Sequence, residues 1–156
     1  MQKKYYSIKE IKDKFKSYRD LENSDITDKE YRIFCDAIQI LPMEIVDKIN
    51  VEIEFALLSA HCRTGNPACY INLINGLGDK KRGIIFITPH VFGAPYAVEN
   101  GKEKKMSDEG RQKAILHEIA HHVLDHSRYI CEKDHIENDA DELVYRWQSE
   151  RKKYTE

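Results

Sequence analysis

Two histidines and a glutamate in the second half of the chain have the residue types and the spacing of a metal site. The segment HEIAH, residues 117–121, places His117 and His121 four positions apart. On an α-helix, side chains with this spacing lie one above the other, so both imidazoles can bind one tetrahedral metal ion. Glu118 then lies beside the open coordination position. The motif therefore predicts two metal ligands, His117 and His121, and a general base, Glu118.

The segment that directly follows the motif does not supply a metzincin ligand. A metzincin would have glycine three residues and histidine six residues after His121, where this chain has Leu124 and Ser127. The later segment ENDAD begins at Glu137 and ends at Asp141, one helical turn further on. If its helix packs across the first, Glu137 can bind the metal and Asp141 can accept a hydrogen bond from a ligand histidine. Two imidazoles and one carboxylate leave a fourth position for water.

These ligands predict a site that activates water for hydrolysis. Zinc is inferred from the ligand types, although two imidazoles and a carboxylate also bind other divalent metals. Bound zinc lowers the pKa of water toward about 7, and Glu118 would take the proton and later return it to the departing amine. Candidate donors to the oxyanion, none singled out by its spacing, are His90, Tyr96, His126, Tyr129 and Tyr145. We retain Tyr145 and His126 as the candidate oxyanion donors.

Two helices must position the predicted ligands. Ser107, followed by Asp108 and Glu109, predicts the start of a helix that runs to about residue 126. Apolar residues on the other faces of this helix would anchor it in the core. A last helix is predicted from about residue 136 to residue 152. Its inward-facing residues are Ala140, Leu143, Val144 and Trp147.

The first part of the chain predicts helices and then a small sheet. Two amphipathic helices are predicted at about 7–21 and 27–41, the second with a capping box of Thr27 and Glu30. Alternating or short apolar runs predict strands at about 51–55, 70–74 and 83–88. Residues 89–105, with Gly, Pro and a charge run, are predicted to form a loop.

The predicted fold class is α+β. We expect a small antiparallel β-sheet of about three strands, packed on the zinc-binding helix and the glutamate helix, with an N-terminal helical pair. We also expect one domain, residues 1–156, with a helical segment over 1–50 and a catalytic core over 51–156.

Composition limits the classes of partner. The 156 residues are 41% hydrophobic and 33% charged, with a net charge of −2, so no global basic field favours direct nucleic-acid binding. No apolar run approaches the ~20 residues that a membrane span needs. Four cysteines are scattered without a C-x-x-C pair, so buried thiols are expected. We expect a cytoplasmic protein with no membrane partner.

The pairing of HEIAH with ENDAD resembles the gluzincin metallopeptidases, whose later motif has the form Glu-x-x-Ala-Asp. The likeness is greatest to minimal single-domain gluzincins and the ImmA/IrrE-type metallopeptidase domain, since the membrane-embedded groups carry transmembrane helices. It covers roughly residues 51–147, and only the two motifs are specific. The resemblance implies that His117, His121 and Glu137 are zinc ligands, that Glu118 is the catalytic base, and that Asp141 orients a ligand.

The same resemblance implies a substrate and a way of binding it. The substrate would be a peptide or protein, and ImmA/IrrE-type proteins often act on a regulatory DNA-binding protein. In gluzincin-like peptidases the strand before the zinc helix borders the cleft, and an extended substrate can pair with its free edge. The matching stretch in this chain is residues 83–88.

Two other interpretations remain open from the sequence. The first is a non-catalytic module of peptidase-like fold that binds zinc for stability and recognises a partner, using the N-terminal helices to dock it or to cover the cleft. The second keeps the metal but replaces Glu137 by a cysteine ligand such as Cys69, in the manner of peptide deformylases. Glu137 is the better third ligand because the surroundings of Cys69 do not match the deformylase motif.

Overall fold

The computed structural model describes residues 3–19, 27–57, 67–77, 81–92, 95, 97–125 and 133–155. Within these residues the fold is α+β, which confirms the predicted class. The helices are α1 (Ile8–Lys14), α2 (Lys16–Arg19), α3 (Asp28–Ile38), α4 (Met43–Glu52), α5 (Asp108–Val123) and α6 (Lys133–Thr155). The strands are β1 (Ile53–Leu57), β2 (Ala68–Leu77), β3 (Lys81–Ile87), β4 (Ala97–Glu99) and β5 (Lys102–Lys104).

The N-terminal region contains more helices than the predicted pair. The first predicted helix is divided at Phe15 into α1 and α2, and α3 begins at the predicted cap, where the Thr27 hydroxyl accepts the N–H of Glu30. Helix α4 follows Pro42, whose fixed φ and missing N–H suit the residue before a new helix. Because α4 extends to Glu52, the first strand begins at Ile53 rather than near residue 51.

The main sheet has three strands in the order β1-β3-β2. Strands β2 and β3 pair antiparallel, whereas β1 and β3 pair parallel, so the sheet is mixed and the purely antiparallel prediction is wrong in this respect. An alternating pattern tells which side chains face the core, but it carries no information on the direction of a neighbouring strand.

A second, two-stranded sheet occupies part of the region predicted to be a loop. Strands β4 and β5 form an antiparallel hairpin whose turn residues, Asn100 and Gly101, have φ of 52° and 75°. Positive φ at both central residues is the requirement of a type I′ turn, which Asn-Gly meets at little cost. This dipeptide was the sequence signal for the hairpin.

One hydrophobic core joins the N-terminal helices to the rest of the domain. Phe34 of α3 and Phe55 of β1 are in edge-to-face contact with ring centroids 5.0 Å apart, and the same buried cluster includes Ile85 of β3 and Ile119 of α5. Helix α5 contacts β2, β3, α3 and α6. The N-terminal helices therefore support α5 from behind. None of the helices in the described part of the chain combines the length and apolar character that crossing a bilayer requires.

Candidate metal centre

Helix α5 begins and packs as its sequence predicts. The Ser107 hydroxyl accepts the N–H of Gly110, and acidic Asp108 and Glu109 occupy the first turn, where they favour the positive end of the helix dipole. The fully buried apolar side chains of the helix are Ile115, Leu116, Ile119 and Ala120. Burial of these side chains fixes the orientation of α5 about its own axis. The predicted ligands project from the part of the helix that contacts α6.

Glu137 of α6 contacts both imidazoles. Its carboxylate oxygens lie 2.7 Å from His117 Nε2 and 3.1 Å from His121 Nε2. The two Nε2 atoms are 3.1 Å apart, and the ring planes are nearly perpendicular. His121 is buried, whereas His117 and Glu137 are half-buried. The structure thus brings together the three residues that the sequence predicted as ligands.

The three donor groups are close enough together to bind one metal ion. Tetrahedral zinc with bonds of about 2.0–2.2 Å to nitrogen and oxygen keeps neighbouring ligand atoms about 3.3 Å apart. The separations within this group, 2.7, 3.1 and 3.1 Å, are shorter than that value, so the ligand atoms would move slightly apart around an ion. Within the part of the chain that the structure describes, His117, His121 and Glu137 are the group of side chains that could hold a metal ion.

Asp141 determines which nitrogen of His117 is available to a metal. The Asp141 carboxylate lies 2.8 Å from His117 Nδ1. An ionised carboxylate only accepts hydrogen bonds, so with a metal ion at Nε2 the imidazole would carry its proton on Nδ1 and donate it to Asp141. The contact also fixes the orientation of the ring. Asp141 therefore occupies the position that the sequence predicted for a residue orienting a ligand histidine.

Substituting Asp141 should weaken zinc binding without eliminating it. In Asp141→Asn the amide can no longer act as a charged acceptor for His117 Nδ1, so we expect zinc affinity to fall about 10- to 100-fold, the usual effect of losing such a partner. Competition with a fluorescent zinc chelator measures the change. The matched control is Asp13→Asn, an exposed position on α1, which should leave the affinity unchanged. Equal affinities of Asp141→Asn and Asp13→Asn would contradict the orienting role.

Glu118 has the environment of a carboxylate that exchanges a proton near neutral pH. Burial raises the pKa of Glu118 to about 7, and the charge of Glu137 adds to the increase. His117 and a hydrogen bond from the Tyr70 backbone N–H act in the opposite direction and lower the pKa. A cation at the neighbouring ligands would lower it again, because an opposite charge favours the ionised form.

The strand beside the metal helix is not the one that the sequence indicated. Residues 83–88 were expected to present a free edge, but β3 is the central strand and is paired on both sides. Strand β2 lies at the edge of the sheet and contacts α5. The hydrogen bond between Tyr70 of β2 and His122 of α5 lies at this junction.

His122 belongs to a hydrogen-bonded group that the sequence did not reveal. Its Nδ1 is 2.8 Å from Tyr70 Oη, and its Nε2 is 3.0 Å from Glu52 Oε1. His122 is only 8% exposed, and Glu52, which falls within the strand predicted at about 51–55, ends α4 instead. These residues come from three distant segments, so no local spacing could have identified the group.

Neither Tyr145, the retained oxyanion donor that the structure describes, nor the alternative cysteine ligand belongs to the ligand group. Tyr145 is 73% exposed and, with Asp141 and Arg146, lines an open depression of about 560 Å³ along α6. His126, the other retained donor, lies outside the described residues, as do Tyr96 and Tyr129. Cys69 is exposed, contrary to the expectation of buried thiols, and is not among the three grouped side chains.

The site therefore consists of two imidazole nitrogens and one carboxylate, with a second carboxylate, Glu118, on the same helix as the imidazoles. This donor set can bind a divalent metal and leave a coordination position for water.

Comparisons of the chain with protein-family models, with curated proteins and with solved structures found no match.

Proposed function

We propose that this protein is a zinc-dependent peptidase of the gluzincin type. The observation that carries the proposal is the position of Glu137, whose carboxylate lies within 3.1 Å of both ligand histidines although it belongs to another helix. The motif on α5 alone supplies two ligands and a base. Glu137 adds the third ligand that a catalytic zinc site of this type has.

The chemistry follows from the ligands and from Glu118. Zinc bound by these residues would acidify a water molecule and polarise the carbonyl of the scissile peptide bond. Glu118 takes a proton from the attacking water and returns it to the amine that leaves.

An extended peptide would bind along β2. The backbone N–H of Thr88 donates to the carbonyl of Pro67, so the antiparallel pattern turns the backbone groups of Tyr70 and Asn72 away from β3. The Tyr70 carbonyl, which also accepts a weak contact from Cys69 Sγ at 3.9 Å, and the Asn72 N–H face this edge, where a substrate strand would pair with them. The edge of β2 thus takes the substrate-binding role that the resemblance implied for residues 83–88, which form part of β3.

The proposed partner is a peptide or protein substrate, including a regulatory protein, in the cytoplasm. This part of the proposal comes from the resemblance of the two motifs to ImmA/IrrE-type domains. The low net charge of −2 supports a protein substrate rather than direct binding to nucleic acid.

Removing the metal should abolish hydrolysis reversibly. Protein loaded with zinc is expected to cleave members of a library of internally quenched fluorescent peptides, because water activation depends on the ion. A chelator should reduce the rate in proportion to the metal removed, and added zinc should restore it. Bound zinc without cleavage of any peptide, together with unfolding on chelation, would support the non-catalytic module instead.

A further inference from the structure

Three polar side chains, the buried His122 and the half-buried Glu52 and Tyr70, form a directed chain of hydrogen bonds next to the metal centre. Glu52, flanked by Lys48 at 3.3 Å, is a carboxylate and only accepts, so His122 donates from Nε2. The Nδ1 atom of His122 is then the acceptor for the Tyr70 hydroxyl. Burial raises the pKa of Tyr70 to about 12, so the hydroxyl keeps the proton that it donates. All three groups are satisfied in one arrangement.

The sheet leaves room for this arrangement at Gly83. A Cβ atom at residue 83 would lie 2.6 Å from Cε2 of Tyr70 and 3.2 Å from Nδ1 of His122. Real Cβ contacts are essentially never as short as 2.6 Å, so a side chain at this position would displace the Tyr70 ring. The ring of Tyr70 is thus held between β3 and the imidazole of α5.

Tyr70 links β2 to the metal-binding helix. Its hydroxyl binds His122, which lies one helical turn beyond Glu118 on α5. Strand β2 pairs with β3 and also contacts α5. The side-chain contact of Tyr70 therefore sets how closely β2 approaches the part of α5 that carries Glu118.

We infer that Tyr70, His122 and Glu52 are positioning residues that hold the edge strand β2 against α5 and thereby fix the distance between the proposed substrate edge and Glu118. The catalytic meaning of this inference rests on the proposed peptidase function. The structural part does not, because the contact between the Tyr70 hydroxyl and His122 can be observed without any substrate.

The kinetic test uses Tyr70→Phe and the best peptide found in the library. We expect kcat to fall about 10- to 100-fold, more than KM rises, with zinc affinity unchanged. Tyr31→Phe is the matched control, because the hydroxyl of Tyr31 also makes a hydrogen bond, to the Lys12 carbonyl at 3.1 Å, in a different part of the core. It should lose similar stability and keep kcat. An unchanged kcat in Tyr70→Phe, or an equal loss in Tyr31→Phe, would overturn the inference.

Two substitutions of Glu52 distinguish a positioning role of its hydrogen bond from a role in packing. Glu52→Gln keeps an acceptor for His122 and should retain most of kcat, whereas Glu52→Ala should show the same loss as Tyr70→Phe. If Gln and Ala at residue 52 gave equal kcat values, the hydrogen-bond chain would have no positioning role.

A spectroscopic measurement is independent of hydrolysis. In the zinc-loaded protein, His122→Phe should change the chemical shift of the Tyr70 backbone amide, because β2 loses its hydrogen-bonded contact with α5, whereas the shift should stay unchanged in Tyr31→Phe. A folded His122→Phe protein with an unshifted Tyr70 amide would contradict the inference. If the change occurs and the wild-type protein cleaves no peptide, the positioning contact stands and the peptidase function fails.

Discussion

Replacing Glu118 by Gln is expected to reduce peptide hydrolysis about 10²- to 10⁴-fold, the contribution of a positioned general base. The amide of Gln cannot take a proton from water, but it occupies the same volume in the half-buried position beside His117. Zinc should therefore remain bound in a 1:1 ratio, as measured by elemental analysis of the purified variant. Initial rates with the best library peptide measure the loss.

The control for this variant is Glu109→Gln on the same helix. Glu109 lies in the first turn of α5, where its exposed carboxylate is 3.4 Å from Lys113. Its substitution should leave both hydrolysis and zinc content unchanged. Wild-type hydrolysis by Glu118→Gln would show that Glu118 is not the base, and loss of zinc would show that Glu118 belongs to the ligand set.

Replacing Glu137 by Gln should have the largest effect on the metal. The change removes the one negative charge among the three donor groups, so we expect zinc affinity to fall more than about 10²-fold, beyond the usual effect of losing a residue that only orients a ligand. Hydrolysis should fall with it. Chelator competition followed by elemental analysis after gel filtration measures the loss of zinc.

Glu142→Gln is the corresponding control on α6. Glu142 is exposed and five residues beyond Glu137, outside the group of three potential ligands in the described chain. Zinc affinity in Glu142→Gln should equal that of the wild-type protein. If Glu137→Gln also retained full affinity, two imidazoles alone would hold the metal, and the gluzincin assignment would fail.

The local part of the site was predictable because helical periodicity relates residues within one element. The spacing of His117 and His121 places them on one face of α5, and the spacing of Glu137 and Asp141 does the same on α6. Both pairs lie where the periodicity predicted. The crossing of α5 and α6 depends on the packing of the whole core. The sequence could therefore predict contact between Glu137 and the two histidines only on the condition that the helices cross at this point.

The contacts between distant segments were not predictable in the same way. Glu52 and His122 are 70 positions apart, and nothing in the neighbourhood of either residue indicates the other. The alternation of Val51, Ile53 and Phe55 predicted a strand that includes residue 52, whereas tertiary packing extends α4 through it. The order of the strands in the sheet was unpredictable for a similar reason, because the alternation of side chains along one strand does not specify which strand lies next to it.

The N-terminal helices form part of the buried core. They were considered as a docking surface or as a cover over the cleft. The structure places Ile11, Phe15 and Phe34 in the same buried cluster as Ile115 and Ile119 of α5. Because these helices pack behind the metal helix, their loss would remove the support of the site, so they belong to the scaffold of the domain.

The most direct test is an anomalous-scattering measurement at the zinc absorption edge, on crystals of protein purified without chelators or added metal. The account predicts one peak about 2.0–2.2 Å from Nε2 of His117, Nε2 of His121 and a carboxylate oxygen of Glu137. It would be contradicted by the absence of any peak at these residues, or by a metal bound there with the Glu137 side chain turned away.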